Sequence, residues 1–173
     1  MLTTISTQDT EAEVLYIRRA TFTNKDREIV NEQGEPVYVK KSEKFALVKT
    51  LVEYGTGREL WHHAGKQGYV HKRTWMDPEK VIRVQFREQK VFAAARYTFR
   101  YMDQEYCLEK KGRMTLSFDC VRVDDRLVVA TFDFHTFGKN FGTFTYLPDP
   151  SLPEGIKTLA LASIIDIAEV LRG

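Results

Sequence analysis

The most constraining stretch of this chain is its last one, Ile156 to Leu171, reading IKTLALASIIDIAEVL. As a helix it carries apolar side chains on nearly every face. Ser163, Asp166 and Glu169, at three-residue spacing, make one narrow polar stripe. A helix apolar almost all round has to be buried on every side. Gly155, after Pro148, Pro150 and Pro153, marks its start. It falls short of the run of about 20 apolar residues that a bilayer crossing needs, and Asp166 and Glu169 interrupt it. The expectation is a buried helix, laid on one side of a sheet or enclosed by strands.

The preceding sequence favours enclosure. Between Val14 and Tyr146 lie short runs rich in β-branched and aromatic residues, separated by turn signals and without a helical period. Residues 14–23 read as a long first strand, and 27–41 as two strands around the turn Asn31-Glu32-Gln33-Gly34. Further strands are expected over 45–53, 58–64, 80–87, 90–100, 105–111, 113–123, 126–137 and 143–147. The segment 65–79 reads as looser, broken by Asp77-Pro78. Ten to twelve consecutive antiparallel strands close readily into a barrel, which removes exposed edges. Eight strands leave just enough room for side chains, so about twelve leave a hole. The terminal helix, about 24 Å long at about 1.5 Å per residue, is the element that fills it. The predicted fold is mainly β: a closed antiparallel barrel of about 12 strands around a central hydrophobic C-terminal α-helix. One domain covers 14–173, after a flexible tail over 1–13.

The opening MLTTISTQDTEAE has no basic n-region and no apolar run, so it is not read as a secretory signal. Cys107 and Cys120 are too few for a disulfide scaffold and read as reduced, half-buried residues of a cytoplasmic protein. The 26 Lys and Arg nearly balance the 24 Asp and Glu, but unevenly along the chain. The net charge is −1 over residues 1–57, +6 over 58–100 and −3 over 101–173. A basic middle third fits either an anionic partner or a solvated face.

An all-β chain with the Asn31-to-Gly34 hairpin followed by Pro36-Val37-Tyr38-Val39, late strands running from Cys120-Val121 to Leu127–Phe132, and a closing apolar helix resembles the tubby C-terminal-like superfamily. That superfamily comprises tubby domains, plant LURP-one-related proteins and phospholipid scramblases. The likeness spans roughly Val14 to the end and lies in pattern and order; size and lack of extra domains bring the LURP-one-related proteins nearest. It implies a twelve-stranded barrel around a central helix. Tubby domains bind phosphoinositides through basic residues, which draws attention to the basic segment here, although the tubby C-terminal signature is absent. The Pro-rich region, acylated cysteine cluster and Ca²⁺ segment of the scramblases are absent too, so scrambling is not expected.

The candidate site is a sheet face. With Glu88 and Gln89 as a two-residue loop, Ile82, Val84, Phe86, Val91, Ala93, Ala95, Tyr97 and Phe99 point to one side. Arg83, Arg87, Lys90, Arg96 and Arg100 point to the other, and Lys66, Lys72 and Arg73 from the preceding segment enlarge the patch. Glu-Gln is a poor hairpin turn, and a slip of one residue would scatter the arginines. Such a face suits anionic phospholipid or phosphoinositide headgroups, or it is a solvated sheet face kept soluble by charge. Neighbouring strand residues point oppositely, so His62 and His63 do not share a metal ion. Asp133 and His135 lie on one strand face and are expected to share a structural hydrogen bond. No nucleophile elbow, phosphate-cradling glycine loop, paired-cysteine zinc spacing or dinucleotide fingerprint occurs. The expectation is a monomeric, non-enzymatic protein with no cofactor, no metal and no nucleic-acid partner. It binds an anionic membrane surface, or alternatively serves as a protein-interaction scaffold.

Overall fold

The computed structural model describes residues 11–19, 26–42, 48–64, 72–91, 94–112 and 114–172. Twelve strands precede one helix: β1 (Glu13–Arg18), β2 (Arg27–Val30), β3 (Pro36–Ser42), β4 (Val48–Glu53), β5 (Glu59–Ala64), β6 (Lys72–Met76), β7 (Arg83–Val91), β8 (Ala94–Tyr101), β9 (Gln104–Lys110), β10 (Phe118–Arg122), β11 (Val128–Phe134), β12 (Asn140–Tyr146) and α1 (Ile156–Arg172). Each strand pairs antiparallel with its sequence neighbours, and β1 pairs with β12 from Glu13↔Tyr146 to Arg18↔Asn140, closing the barrel. Period-2 burial puts Leu15 and Ile17, Val84 and Phe86, Tyr97 and Phe99 inward. Register shifts at Ile17/Arg18, Ile29/Val30, Leu51/Val52 and Cys120/Val121 supply local bends that help the sheet close.

An up-and-down barrel has two ends, and the turns differ between them. At one, Asn31 Oδ1 accepts the N–H groups of Gln33 and Glu35 while Gly34 takes φ 78°. Met102 and Asp103, at φ 47° and 62°, connect β8 to β9 at the same end. Helix α1 enters from this end. Tyr101 donates to the Glu154 carbonyl at 2.7 Å, Trp61 Nε1 donates to Thr158 Oγ1 at 2.9 Å, and a Cβ on Gly155 would meet Tyr101 Oη at 2.5 Å. Its next turns are buried on every face, with each residue from Leu159 to Ala168 at most 2% exposed. Only a lumenal position gives that burial. Ser163, within the polar stripe, donates to the Leu159 carbonyl at 2.8 Å and so hides its hydroxyl in the helix.

Two local expectations are corrected. The segment 65–79 contains a strand, since β6 pairs with β7 from Lys72↔Arg87 to Met76↔Arg83. Its inward side chains are Arg73 and Trp75, so an arginine stands where an apolar residue would signal a strand. The 80–100 hairpin does not turn at Glu88-Gln89. Strand β7 runs through to Val91, with Glu88↔Tyr97, Gln89↔Arg96 and Lys90↔Ala95 paired. The expected first strand ends at Arg18, and residues 20–25 lie outside the described set, as do residues 1–10 of the expected tail.

Candidate functional site

The shifted register still leaves a basic outer face, smaller than expected. Arg83, Gln85, Arg87 and Gln89 alternate along β7, and Thr98 and Arg100 follow on β8; with Glu105 of β9 they line one open groove. The β7–β8 ladder stops at Arg87↔Thr98, and Arg83, Gln85 and Arg100 lie beyond that last pair. Arg87 Nη2 reaches Gln85 Oε1 at 3.3 Å, and Arg100 Nη2 reaches the Asp103 carbonyl at 3.4 Å. Among the described residues, no carboxylate forms an ion pair with Arg83, Arg87 or Arg100. Three guanidiniums are thus available around Gln85.

The other predicted members do not share one placement. Arg96 Nε donates to Cys107 Sγ at 2.6 Å, and its Nη2 lies 3.6 Å from Glu109, which Arg126 also holds at 2.7 Å. Lys72 is opposite Arg87 in the β6–β7 ladder, and Lys90 is opposite Ala95 rather than Arg87. Lys66 lies outside the described residues. Arg73 is a correction: it pairs in register with Phe86, points into the barrel and binds Asp166.

The barrel interior holds a second constellation. Near the C-terminal end of α1, Asp166 accepts from Lys49 and, at 2.5 Å, from Arg73. One turn on, Glu169 accepts from Arg27 at 2.6 Å and forms an ion pair with Lys40 at 2.9 Å. Asp166 and Lys40 are fully buried, and the Arg27 guanidinium also lies 4.0 Å from the Phe141 ring. Burial alone would raise both carboxyls, but Lys49, Lys40 and Arg73 hold Asp166 below the usual range, and Lys40 and Arg27 do the same for Glu169. Burial lowers the Lys40 ammonium, with Glu169 opposing. Beside them His63, tilted against Trp75 at 5.2 Å, is pushed down to about 4 by burial and by Arg73, Lys49 and Lys40, although Asp166 opposes this. His63 Nδ1 has no hydrogen-bond partner among the described residues. The cluster ties four strands to the helix. Sequence reading saw the two acids as a stripe and missed their partners, whose only signal was a cation at an inward strand position.

The remaining candidates are structural. His62 hydrogen-bonds Glu59 at 3.0 Å, on the face opposite buried His63. Asp133 takes Lys111 at 3.0 Å while His135 Nε2 takes Thr143 Oγ1 at 3.0 Å, so the expected Asp133–His135 bond is replaced by two others. Cys107 and Cys120 are both buried free thiols. No described helix is long and apolar enough to cross a membrane.

The fold defined here is a closed twelve-strand antiparallel barrel with a helix in its lumen. An X-ray structure of a protein from Arabidopsis thaliana, AT5G01750, shares it: TM-score 0.65 over 95% of this chain and 93% of that one, at 12% identity. At that identity the likeness is one of fold. No protein-family model and no curated protein matches the chain.

Proposed function

We propose that the protein is a non-enzymatic, tubby-like barrel that binds the phosphate-bearing headgroups of anionic phospholipids, phosphoinositides included, in the β7–β8 groove. The observation that carries this reading is the set of three guanidiniums, Arg83, Arg87 and Arg100, around one groove without carboxylate partners among the described residues. Guanidinium forks bind phosphate oxygens in pairs, and each cation near an anionic leaflet contributes about 1 kcal/mol. Three hold a protein weakly, so a headgroup seated in the groove supplies the rest. A helix-filled lumen argues against an interior site for a small apolar ligand, which supports binding on the outside.

The test is co-sedimentation with phosphatidylcholine vesicles with or without phosphatidylserine or phosphoinositide, and with soluble inositol phosphate as competitor. The Arg83/Arg87/Arg100→Glu variant is expected to lose pelleting; equal pelleting of variant and wild type overturns the reading. Competition by the soluble headgroup separates recognition of the headgroup from attraction to the charged surface. A protein-interaction scaffold of the LURP-one-related type is the second reading. Exposed Tyr54, Val81 and Met102, on three successive turns at the end where α1 enters, favour it. It predicts indifference to lipid.

A further inference from the structure

The barrel end where α1 enters carries a surface of its own. Three large apolar side chains stand out from successive turns there: Tyr54 is 52% exposed, Val81 77% and Met102 53%. The first two turns adjoin, since Gly57 of one and Asp77, Pro78 and Lys80 of the other line one groove. Both are fastened in place. The Tyr54 N–H donates to the Val37 carbonyl at 2.9 Å, and the Gly57 N–H to the Glu53 carbonyl at 3.0 Å. Asp77 Oδ1 accepts the Ile82 N–H at 2.8 Å, and the Asp77 carbonyl accepts the Lys80 N–H at 3.0 Å. Apolar side chains held out on fixed turns lose little freedom on docking, which favours binding.

Met102 stands there at a double cost. It and Asp103 are the two central residues of the β8–β9 turn, and both take positive φ, 47° and 62°. Such a turn suits asparagine or glycine and strains a methionine. Half of its side chain lies in water, so core packing does not repay the strain. Folding alone favours neither the residue nor its exposure.

The surround is acidic. Every connection at this end lies within the described residues, and exposed Glu32, Glu35, Glu79, Asp103, Asp124 and Glu154 have no ion-pair partner among them. The cations of the same turns are mostly taken: Arg58 pairs with Glu53 at 3.1 Å and Arg126 with Glu109 at 2.7 Å, which leaves Lys80. Arg83 and Arg100 line the lateral groove on the barrel wall.

We propose that this end docks a cationic amphipathic segment of a partner protein, whose apolar side chains cover Tyr54, Val81 and Met102 while its lysines or arginines meet the carboxylates. Charge complementarity selects this occupant. Unpaired carboxylates around the apolar tips repel an anionic bilayer, and they repel a second copy presenting the same end. A cationic chain is attracted by them and oriented on the apolar tips. The proposal gives the scaffold reading a partner chemistry and stands apart from the arginine groove.

The test titrates the full-length protein into a dye-labelled amphipathic helical peptide of leucine and lysine, followed by fluorescence anisotropy, with a leucine and glutamate peptide as control. The Tyr54→Ser/Val81→Ser/Met102→Asn variant is expected to bind roughly tenfold more weakly, as loss of apolar burial on that scale implies. Glu79→Lys/Asp103→Lys/Asp124→Lys is expected to weaken binding as well, whereas Arg83/Arg87/Arg100→Glu leaves it unchanged. A thermal melt confirms that each variant is folded, and asparagine suits the turn that Met102 occupies. Lysine-peptide binding that is the same in wild type and in the apolar variant overturns the proposal, since general charge attraction then explains it. Equal binding of the glutamate peptide overturns it too. A wild-type dimer in sedimentation that the apolar variant loses assigns the surface to a second copy, and vesicle pelleting lost in that variant assigns it to lipid; either result overturns the proposal. Weakened peptide binding with vesicle pelleting unchanged supports it, whether or not the groove binds lipid.

Discussion

Arg73 Nη1 and Asp166 Oδ2 lie 2.5 Å apart although 93 positions separate them in the chain. One belongs to the sixth strand and the other to a helix buried on all sides, so the bond is a strut between barrel wall and plug. Lys49 completes the grip on Asp166, while Arg27 and Lys40 grip Glu169 one turn later.

Removing a carboxylate from such a cluster strands its cations in a dry interior. The Asp166→Leu variant is expected to lose about 3–5 kcal/mol in urea unfolding, because the ammonium of Lys49 and guanidinium of Arg73 stay buried without a partner. Replacing the pair together, Asp166→Leu with Lys49→Met, should recover part of that loss. A double variant no more stable than the single would mean that Lys49 reaches water when Asp166 is gone.

Acid should weaken the fold in two stages. His63 is held near 4 in the native barrel against 6.5 in the unfolded chain, so between those values the unfolded chain carries a proton that the native one lacks. Stability therefore falls as pH drops through that window, by about 3 kcal/mol at most. Asp166 and Glu169, held below their ordinary values, add stability that is complete above about 4 and is lost as pH falls through their native values. Unfolding midpoints of wild type and His63→Leu measured from pH 7 to 4 separate the stages, with a flatter profile expected for the variant.

Two glycines should respond differently to an added methyl. A Cβ on Gly142 of β12 would fall 2.4 Å from the Phe132 ring and 2.8 Å from the Asp133 carbonyl, which is backbone of the adjoining strand. The Gly142→Ala variant is expected to cost about 1–3 kcal/mol through overpacking. At Gly112 the nearest contact would be Thr115 Cγ2 at 3.4 Å, and alanine there should change little. Thermal melts of the two variants side by side check the contrast.

Deleting residues 156–173 should abolish cooperative unfolding. The lumen loses a rod whose ten central residues are nearly inaccessible to water, and a cavity of that size cannot be closed by small shifts of twelve strands. Far-UV circular dichroism and dye binding on the truncated chain measure this. A sharp transition with no dye uptake would mean that the wall stands without its filling.

The architecture was legible because helix and strands betray themselves by different periods. The all-round apolarity of residues 156–171 required burial, the run of strands before it favoured enclosure, and alternation such as Val84/Phe86 and Tyr97/Phe99 marked the inward faces. What failed did so for local reasons. Strand β6 was hidden by Arg73, an inward cation that mimics a solvent residue. The β7–β8 turn was misplaced by four residues because inward Glu88, opposite Tyr97, broke the apolar series just where a turn was expected.

The pairing of the first strand with the last has a consequence for biogenesis. While a ribosome is still translating the middle of the message, Glu13–Arg18 has one flank without its mate, and the growing sheet presents two raw borders and an unfilled trough. Only when Asn140–Tyr146 has emerged can the ring shut, and the stretch that fills it is made later still. Such a nascent chain invites holdase chaperones that shield it until the last segment arrives.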